Sequence, residues 1–105
     1  MEMKEEIFME TITIVALLKG REGYAAQLRE VLLKLGASSR AEEGCLTYVL
    51  HESRAYPEQF VLYEAWKNEA ALAEHLASSH YRAYRRAAKT FIDRRDVYRL
   101  NTLSN

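Results

Sequence analysis

Two histidines in the C-terminal half are the side chains best suited to proton transfer. His75 and His80 lie five positions apart, with Ser78 between them. A neutral imidazole accepts a proton readily near physiological pH, so either ring could act as a general base. If Ser78 caps a helix, His80 takes the second helical position, where the helix dipole disfavours the imidazolium. We therefore rank His80 ahead of His75 as the candidate base.

Three more side chains are expected to face the same space as these histidines. Glu64 and Trp66 alternate onto one face of a predicted strand, and Tyr84 follows His80 by about one helical turn. Each histidine, taken alone, is equally compatible with a half-buried residue bonded to backbone or water. A carboxylate and an aromatic wall beside them favour a small-molecule site with acid–base chemistry.

Several other kinds of site lack the residues they need. A predicted helix break separates His75 from His80, and His51 lies on another strand, so no metal-ligand spacing is recognisable and we expect no metal. Cys45 is the single cysteine, which excludes an internal disulfide and a cysteine-based zinc site. The chain has neither a glycine-rich phosphate loop nor a G-x-S-x-G sequence, so we expect no nucleotide cofactor and no acyl-enzyme.

The composition is that of one small domain without a net charge bias. The 105 residues include 15 Lys plus Arg and 15 Asp plus Glu, a balance that gives no indication of a nucleic-acid or membrane partner. No apolar run approaches the ~20 residues that span a bilayer, and the acidic N-terminus lacks the pattern of a signal peptide. We therefore expect a cytoplasmic protein.

The hydrophobic pattern predicts the order β-α-β-β-α(α)-β, the split βαβ arrangement of ferredoxin-like α+β domains, with a four-stranded antiparallel sheet. The predicted strands are 10–19, 45–52, 59–67 and 96–103, and the first helix runs from 24 to a stop at Gly44. Asn68 and Ser78 are the expected N-caps of two further helices, the second continuing through Phe91 and Ile92. Residues 1–9 are expected to form a flexible extension of a domain at 10–103.

RNA-recognition domains share this order of elements. Their third strand carries glycine, basic and aromatic residues at set offsets. The third strand here has neither the glycine nor the basic residue, and it places Glu64 at its centre. We therefore expect no binding to RNA.

Both faces of the central strands are apolar. One face of the third strand carries Phe60, Leu62, Glu64 and Trp66, and the other carries Val61, Tyr63 and Ala65. The helices can cover only one face of such a sheet, and an antiparallel sheet normally leaves its second face polar. The second apolar face is therefore expected to pack on a copy of itself across a two-fold axis, as a homodimer.

Three segments carry a family resemblance over residues 10–103. They are Arg40-Ala-Glu-Glu-Gly-Cys-Leu-Thr-Tyr48, Phe60-Val-Leu-Tyr-Glu-Ala-Trp66 and Glu74-His-Leu-Ala-Ser-Ser-His-Tyr81. In this order and on these elements, they resemble the antibiotic biosynthesis monooxygenase family of dimeric α/β-barrel proteins. Related sequences include cofactor-independent quinol and polyketide oxygenases, an isomerase of phosphorylated autoinducer-2 products, and haem-degrading oxygenases.

The resemblance implies that haem is not used. Haem-degrading relatives rely on an axial histidine, an asparagine and a second tryptophan. The corresponding positions hold Arg85, Thr13 and His75. A guanidinium cannot ligate iron, so the implied activity needs no haem, and no other cofactor is expected.

The implied chemistry is a cofactor-free oxidation, in which a base removes a proton from a phenol or hydroquinone and the anion reacts with oxygen. His80 or His75 would be the base and Glu64 its orienting partner. The residues expected to bind a small aromatic or oxygenated metabolite are Trp66, Tyr48, Phe60, Tyr84 and Arg85. Two alternatives stay open: an isomerase of a small phosphorylated sugar-like metabolite, with Arg85 or Arg99 on the phosphate, and a non-catalytic dimer that binds a small ligand.

Overall fold

The computed structural model describes residues 11–104, which form a four-stranded antiparallel sheet with helices packed on one face. The elements are β1 (Ile12–Gly20), α1 (Ala25–Arg40), β2 (Cys45–Glu52), β3 (Gln59–Trp66), α2 (Glu69–Ala77), α3 (Ser79–Ala88) and β4 (Ile92–Leu100). The predicted ferredoxin-like order is confirmed, while the predicted extension at 1–9 lies outside the described residues. Within the described range, none of the helices has the length and apolar character needed to cross a bilayer.

The order of strands in the sheet is β2-β3-β1-β4, so β3 and β1 are central. Ile14 on β1 lies opposite Glu64 on β3, and Tyr48 on β2 lies opposite Glu64 from the other side. Because directly opposed residues of antiparallel strands share a face, these three side chains lie side by side on the inner face of the sheet. The register therefore places a carboxylate in the middle of an otherwise apolar surface.

The two short helices begin at the predicted caps. The side chain of Asn68 accepts the backbone N–H of Ala71 at 2.8 Å, and Ser78 Oγ accepts that of Tyr81 at 3.2 Å. Ser78 is extended, with φ −67° and ψ 154°, so it ends α2 and starts α3. The chain changes direction there, between His75 on α2 and His80 on α3.

The predicted end of the first helix is wrong. α1 stops at Arg40 instead of continuing to Gly44. The backbone N–H of Glu42 bonds to the carbonyl of Ser39, which closes a turn after the helix. Gly44 then packs so closely on α2 that a Cβ there would overlap the Cβ of Ala71. This turn brings Glu42 close to the short helices.

The predicted closing strand is displaced. β4 occupies Ile92–Leu100 instead of 96–103, and α3 ends at Ala88, so Phe91 and Ile92 are not helical. The backbone N–H of Phe91 bonds to the carbonyl of Ala88 and closes a turn between the two elements. β4 is an edge strand that begins with an apolar residue and four consecutive charged ones. Such a sequence does not show the apolar alternation from which strands are predicted.

The core lies between the helices and the inner face of the sheet. Along β3 the buried positions alternate as predicted, with Phe60, Leu62, Glu64 and Trp66 at most 7% exposed. The outer face carries large side chains that are 40% to 50% exposed, namely Leu17, Val49, Tyr63 and Tyr98. The domain therefore has one buried and one uncovered apolar face.

Candidate active site

A cavity of about 220 Å³ lies between the inner face of the sheet and the two short helices. Its apolar wall includes Ile14, Ala16, Leu18, Leu62 and Leu72. Its polar wall consists of Tyr48, Glu64, His75, Tyr81, Tyr84, Arg95 and Arg99. The cavity thus combines an apolar surface suited to a ring with acidic, basic and cationic groups around it.

One carboxylate oxygen bonds to both histidines. His75 Nδ1 and His80 Nε2 each lie 2.7 Å from Glu42 Oε2. The helix break at Ser78 is what allows two histidines on successive helices to converge on the turn after α1. Because a carboxylate only accepts hydrogen bonds, we assign the protons to His75 Nδ1 and His80 Nε2. This Glu42–His75–His80 group is called the histidine cluster below.

His75 is the member of the histidine cluster that touches the cavity. Its side chain is 2% exposed, and burial lowers the pKa of the imidazole below its usual value, against the opposing effects of the hydrogen bond and charge of Glu42. Its ring packs on Trp66, with the ring centroids 4.3 Å apart. Since Nδ1 faces Glu42, Nε2 is the nitrogen left for a ligand in the cavity. His75 is thus a neutral base with a fixed tautomer.

His80 has a different position. Its side chain is 27% exposed and reaches Glu42, but it does not line the cavity. The geometry therefore favours His75 over His80 as the base that meets a ligand, the reverse of the ranking from the sequence. His80 instead supplies a second N–H to Glu42, which helps to hold the carboxylate beside His75.

Glu64 does not orient either histidine, and that expected partnership is wrong. Its Oε1 accepts the indole N–H of Trp66 at 2.9 Å, and the side chain lines the cavity. Burial raises the pKa of the Glu64 carboxyl, while the Trp66 hydrogen bond and the charge of Arg95 lower it. The partner of the histidines is Glu42, a residue that the sequence reasoning missed.

Two tyrosines, Tyr48 and Tyr84, line the cavity. Tyr48 is 2% exposed, its hydroxyl has no hydrogen-bond partner, and burial raises its pKa. Burial and the neighbouring Tyr81 raise the pKa of Tyr84 to about 12. Both phenols therefore remain protonated at physiological pH and can donate hydrogen bonds.

Three of the residues expected to bind a ligand lie outside the cavity wall. Phe60 is 1% exposed in the core, and Trp66 is fully buried behind His75. Arg85 is exposed and donates to the hydroxyl of Tyr81 at 3.3 Å. The polar wall contains two residues not singled out for this role, Tyr81 and Arg95. Tyr81 ends one of the segments that carry the family resemblance, so a signal for it was present.

The histidine cluster is also a set of side chains that could ligate a metal, although no such spacing is recognisable in the sequence. One ligand atom from each of Glu42, His75 and His80 lies within 4.8 Å of the others, which is compact enough for a divalent ion. The spacing in sequence did not reveal this, because the set needs a carboxylate from the turn after α1. In this structure two contacts of 2.7 Å join the histidines to one shared oxygen, which is the geometry of hydrogen bonds.

Fold and site together define a ferredoxin-like domain with an acid–base cavity on its sheet, and comparison with known proteins gives the family. Residues 11–87 match the family model described as antibiotic biosynthesis monooxygenase. The chain is 36% identical over 74 residues to a Mycobacterium tuberculosis protein named "Putative monooxygenase Rv0793", covering 70% of this chain and 72% of that one. The chain belongs to the antibiotic biosynthesis monooxygenase family.

Solved structures agree with this assignment. The crystal structure of PA3566 from Pseudomonas aeruginosa has a TM-score of 0.86 and 32% identity, covering 90% of this chain and 96% of that chain. The structure of Rv0793 from Mycobacterium tuberculosis has a TM-score of 0.84 and 31% identity, with coverages of 90% and 97%. The four-stranded sheet and its helices are therefore those of known members of this fold.

Proposed function

We propose that this chain is a cofactor-independent monooxygenase of a small hydroxylated aromatic compound, such as a quinol or a polyphenolic polyketide. The single observation that carries the proposal is His75, a buried base whose Nδ1 is held by Glu42 at the wall of an aromatic-sized cavity. The burial of His75 favours the neutral form that can accept a proton. Family membership supports the reaction class.

The first step is removal of a phenolic proton. His75 Nε2 accepts the proton of a bound hydroquinone, and the imidazolium that forms is stabilised by the Glu42 carboxylate at 2.7 Å. The phenolate is stabilised by a hydrogen bond from Tyr84, which lines the cavity. An apolar cavity strengthens these interactions because little water competes for them.

The second step is reaction of the electron-rich anion with oxygen. One electron passes to dioxygen, and the radical pair combines to a peroxide at the ring carbon next to the phenolate. His75 then returns its proton to the peroxide, which becomes a hydroperoxide. The hydroperoxide loses water together with the hydrogen of the ring carbon that carries it, and this carbon becomes a carbonyl. Hydroquinone plus oxygen thus gives hydroxyquinone plus water, and the substrate itself supplies all four electrons.

Oxygen uptake by protein free of metal and cofactor tests this function. A panel of hydroquinones and hydroxylated polycyclic phenols is supplied to wild type, His75→Gln and His51→Gln, with uncatalysed autoxidation subtracted. His51 is the matched control, because it is exposed on β2 and lies outside the cavity. Loss of a general base costs about 100- to 10,000-fold in rate, so only His75→Gln should lose turnover. Turnover of a phosphorylated ketose without oxygen uptake, or binding of the panel without turnover, would overturn the proposal.

We also propose that the outer face of the sheet packs on a second copy of the chain. Leu17, Val49, Tyr63 and Tyr98 give this face an apolar centre that is 40% to 50% exposed. A two-fold axis brings the same patch of both copies together, so one apolar face covers the other. Burial of this area would stabilise the dimer through the hydrophobic effect.

A further inference from the structure

The edge strand β4 presents two arginines to the cavity. Arg95 and Arg99 lie opposite Leu18 and Ile14 of β1, so they are on the inner face of the sheet. Both line the cavity, with Val97 between them. Both side chains are exposed, so they reach the cavity from its solvent-facing edge.

The other two arginines of β4 form ion pairs and Arg95 does not, although its charge acts on the Glu64 carboxyl in the same cavity. Arg99 bonds to Glu69, and Arg94 on the outer face bonds to Asp96. Among the described residues Arg95 forms no ion pair, and its side chain donates one hydrogen bond, to the hydroxyl of Tyr81 at 3.3 Å. A guanidinium has five N–H donors, so most of those of Arg95 remain free for a ligand.

Tyr81 lies in contact with both His75 and Arg95. Its ring centroid lies 5.0 Å from that of His75, and its hydroxyl lies 3.3 Å from Arg95 Nη2. The same hydroxyl accepts a hydrogen bond from Arg85, which fixes the tyrosine in place. His75 and Arg95 thus both contact the Tyr81 side chain, and both line the same cavity. An aromatic ligand with its hydroxyl at His75 can therefore place a ring substituent at Arg95.

We propose that the substrate carries an anionic substituent, a carboxylate or phosphate, which binds Arg95 beside Arg99 at the mouth of the cavity. The planar guanidinium matches either oxyanion with two parallel hydrogen bonds. This inference rests on the proposed function, because it names the substrate class of the same cavity. It uses the free N–H donors of Arg95, which forms no ion pair among the described residues.

Pairs of probes that differ only in an anionic substituent test whether Arg95 forms this anion-binding subsite. Naphthohydroquinone and its ring carboxylate, dihydroxynaphthoate, are compared as substrates of wild type, Arg95→Gln and Arg94→Gln. Arg94 is the matched control, since it is the adjacent arginine on the opposite face. Arg95→Gln should raise the KM for dihydroxynaphthoate by roughly tenfold to a hundredfold and leave the KM for naphthohydroquinone unchanged. Arg94→Gln should leave both KM values unchanged.

A binding assay that needs no turnover separates this inference from the proposed function. Trp66 is the single tryptophan and packs on His75, so its fluorescence reports a ligand in the cavity. Naphthol, hydroxynaphthoate and naphthyl phosphate are titrated into wild type and Arg95→Gln, with thermal melting as the control for folding. Binding that favours either anion and depends on Arg95 supports the subsite even if no probe is oxidised, and the preferred anion identifies the substituent. Equal affinity for charged and neutral probes, or an equal loss of both in Arg95→Gln, overturns the subsite even if naphthohydroquinone is oxidised.

Discussion

Glu42→Gln is the substitution that examines the histidine cluster most closely. It keeps the shape of the side chain but removes the charge that faces His75 Nδ1 and His80 Nε2 at 2.7 Å. A hydrogen bond to a charged group contributes about 1.5–3 kcal/mol, and about 1.4 kcal/mol of barrier is a factor of ten in rate. Because the His75 imidazolium forms only during the reaction, kcat should fall by roughly 10- to 150-fold. KM should change little, since Glu42 is not part of the cavity wall.

Initial rates of oxygen uptake with naphthohydroquinone measure this effect. Glu43→Gln is the control, because it removes the same charge from the next residue, which is exposed. Circular dichroism and thermal melting establish that both variants are folded. Equal kcat values for wild type, Glu42→Gln and Glu43→Gln would refute the role of Glu42 behind the base. A rise in KM at unchanged kcat would instead mean that Glu42 acts in binding.

Three further outcomes are expected. Burial lowers the pKa of His75, so the folded protein disfavours the protonated ring. We therefore expect kcat to stay constant as the pH falls to about 6.5 and to decline only below it. An acidic limb of the pH profile centred above neutrality, or one that persists in His75→Gln, would contradict this. Gly44→Ala should destabilise the fold by about 1–3 kcal/mol in urea unfolding, because its Cβ would overlap Ala71, whereas Gly36→Ala, which meets only the flexible end of Arg40, should not. In sedimentation the wild type should have twice its 12.2 kDa chain mass and Tyr63→Glu on the outer face should dissociate it, so a stable wild-type monomer would refute the dimer.

Local sequence signals predicted much of the fold. β2 was predicted at its observed bounds, and the caps Asn68 and Ser78 start their helices because side chain and backbone lie within three residues of each other. The bounds predicted for β4 were wrong because an edge strand does not require apolar residues on either face. The run of charged residues at its start therefore lacks the alternation of apolar and polar residues by which strands are recognised. Local signals therefore located the starts of the short helices, but they did not locate the ends of α1 and α3 or the position of β4.

The site was predictable only in part. The alternation of side chains along β3 predicted that Glu64 lies on the inner face of the sheet. The cap at Ser78 predicted that the two histidines lie on successive short helices. The partner of the histidines could not be predicted, because Glu42 is 33 and 38 residues distant from them and reaches them only through the turn after α1. A tertiary contact of this kind leaves no periodic trace in the sequence. The same reason explains why Arg95, on a misplaced strand, was not expected at the cavity.

The products in which the two oxygen atoms of dioxygen are found test most directly whether this chain is a cofactor-independent monooxygenase. Protein stripped of metal by a chelator and free of flavin and haem is supplied with naphthohydroquinone under an atmosphere of isotopically heavy oxygen. Mass spectrometry of the product should show one heavy oxygen atom in each hydroxyquinone, with the second in water, and the label should disappear in His75→Gln. Unlabelled quinone accompanied by heavy hydrogen peroxide, or labelling that requires an added metal, would contradict a cofactor-independent monooxygenase.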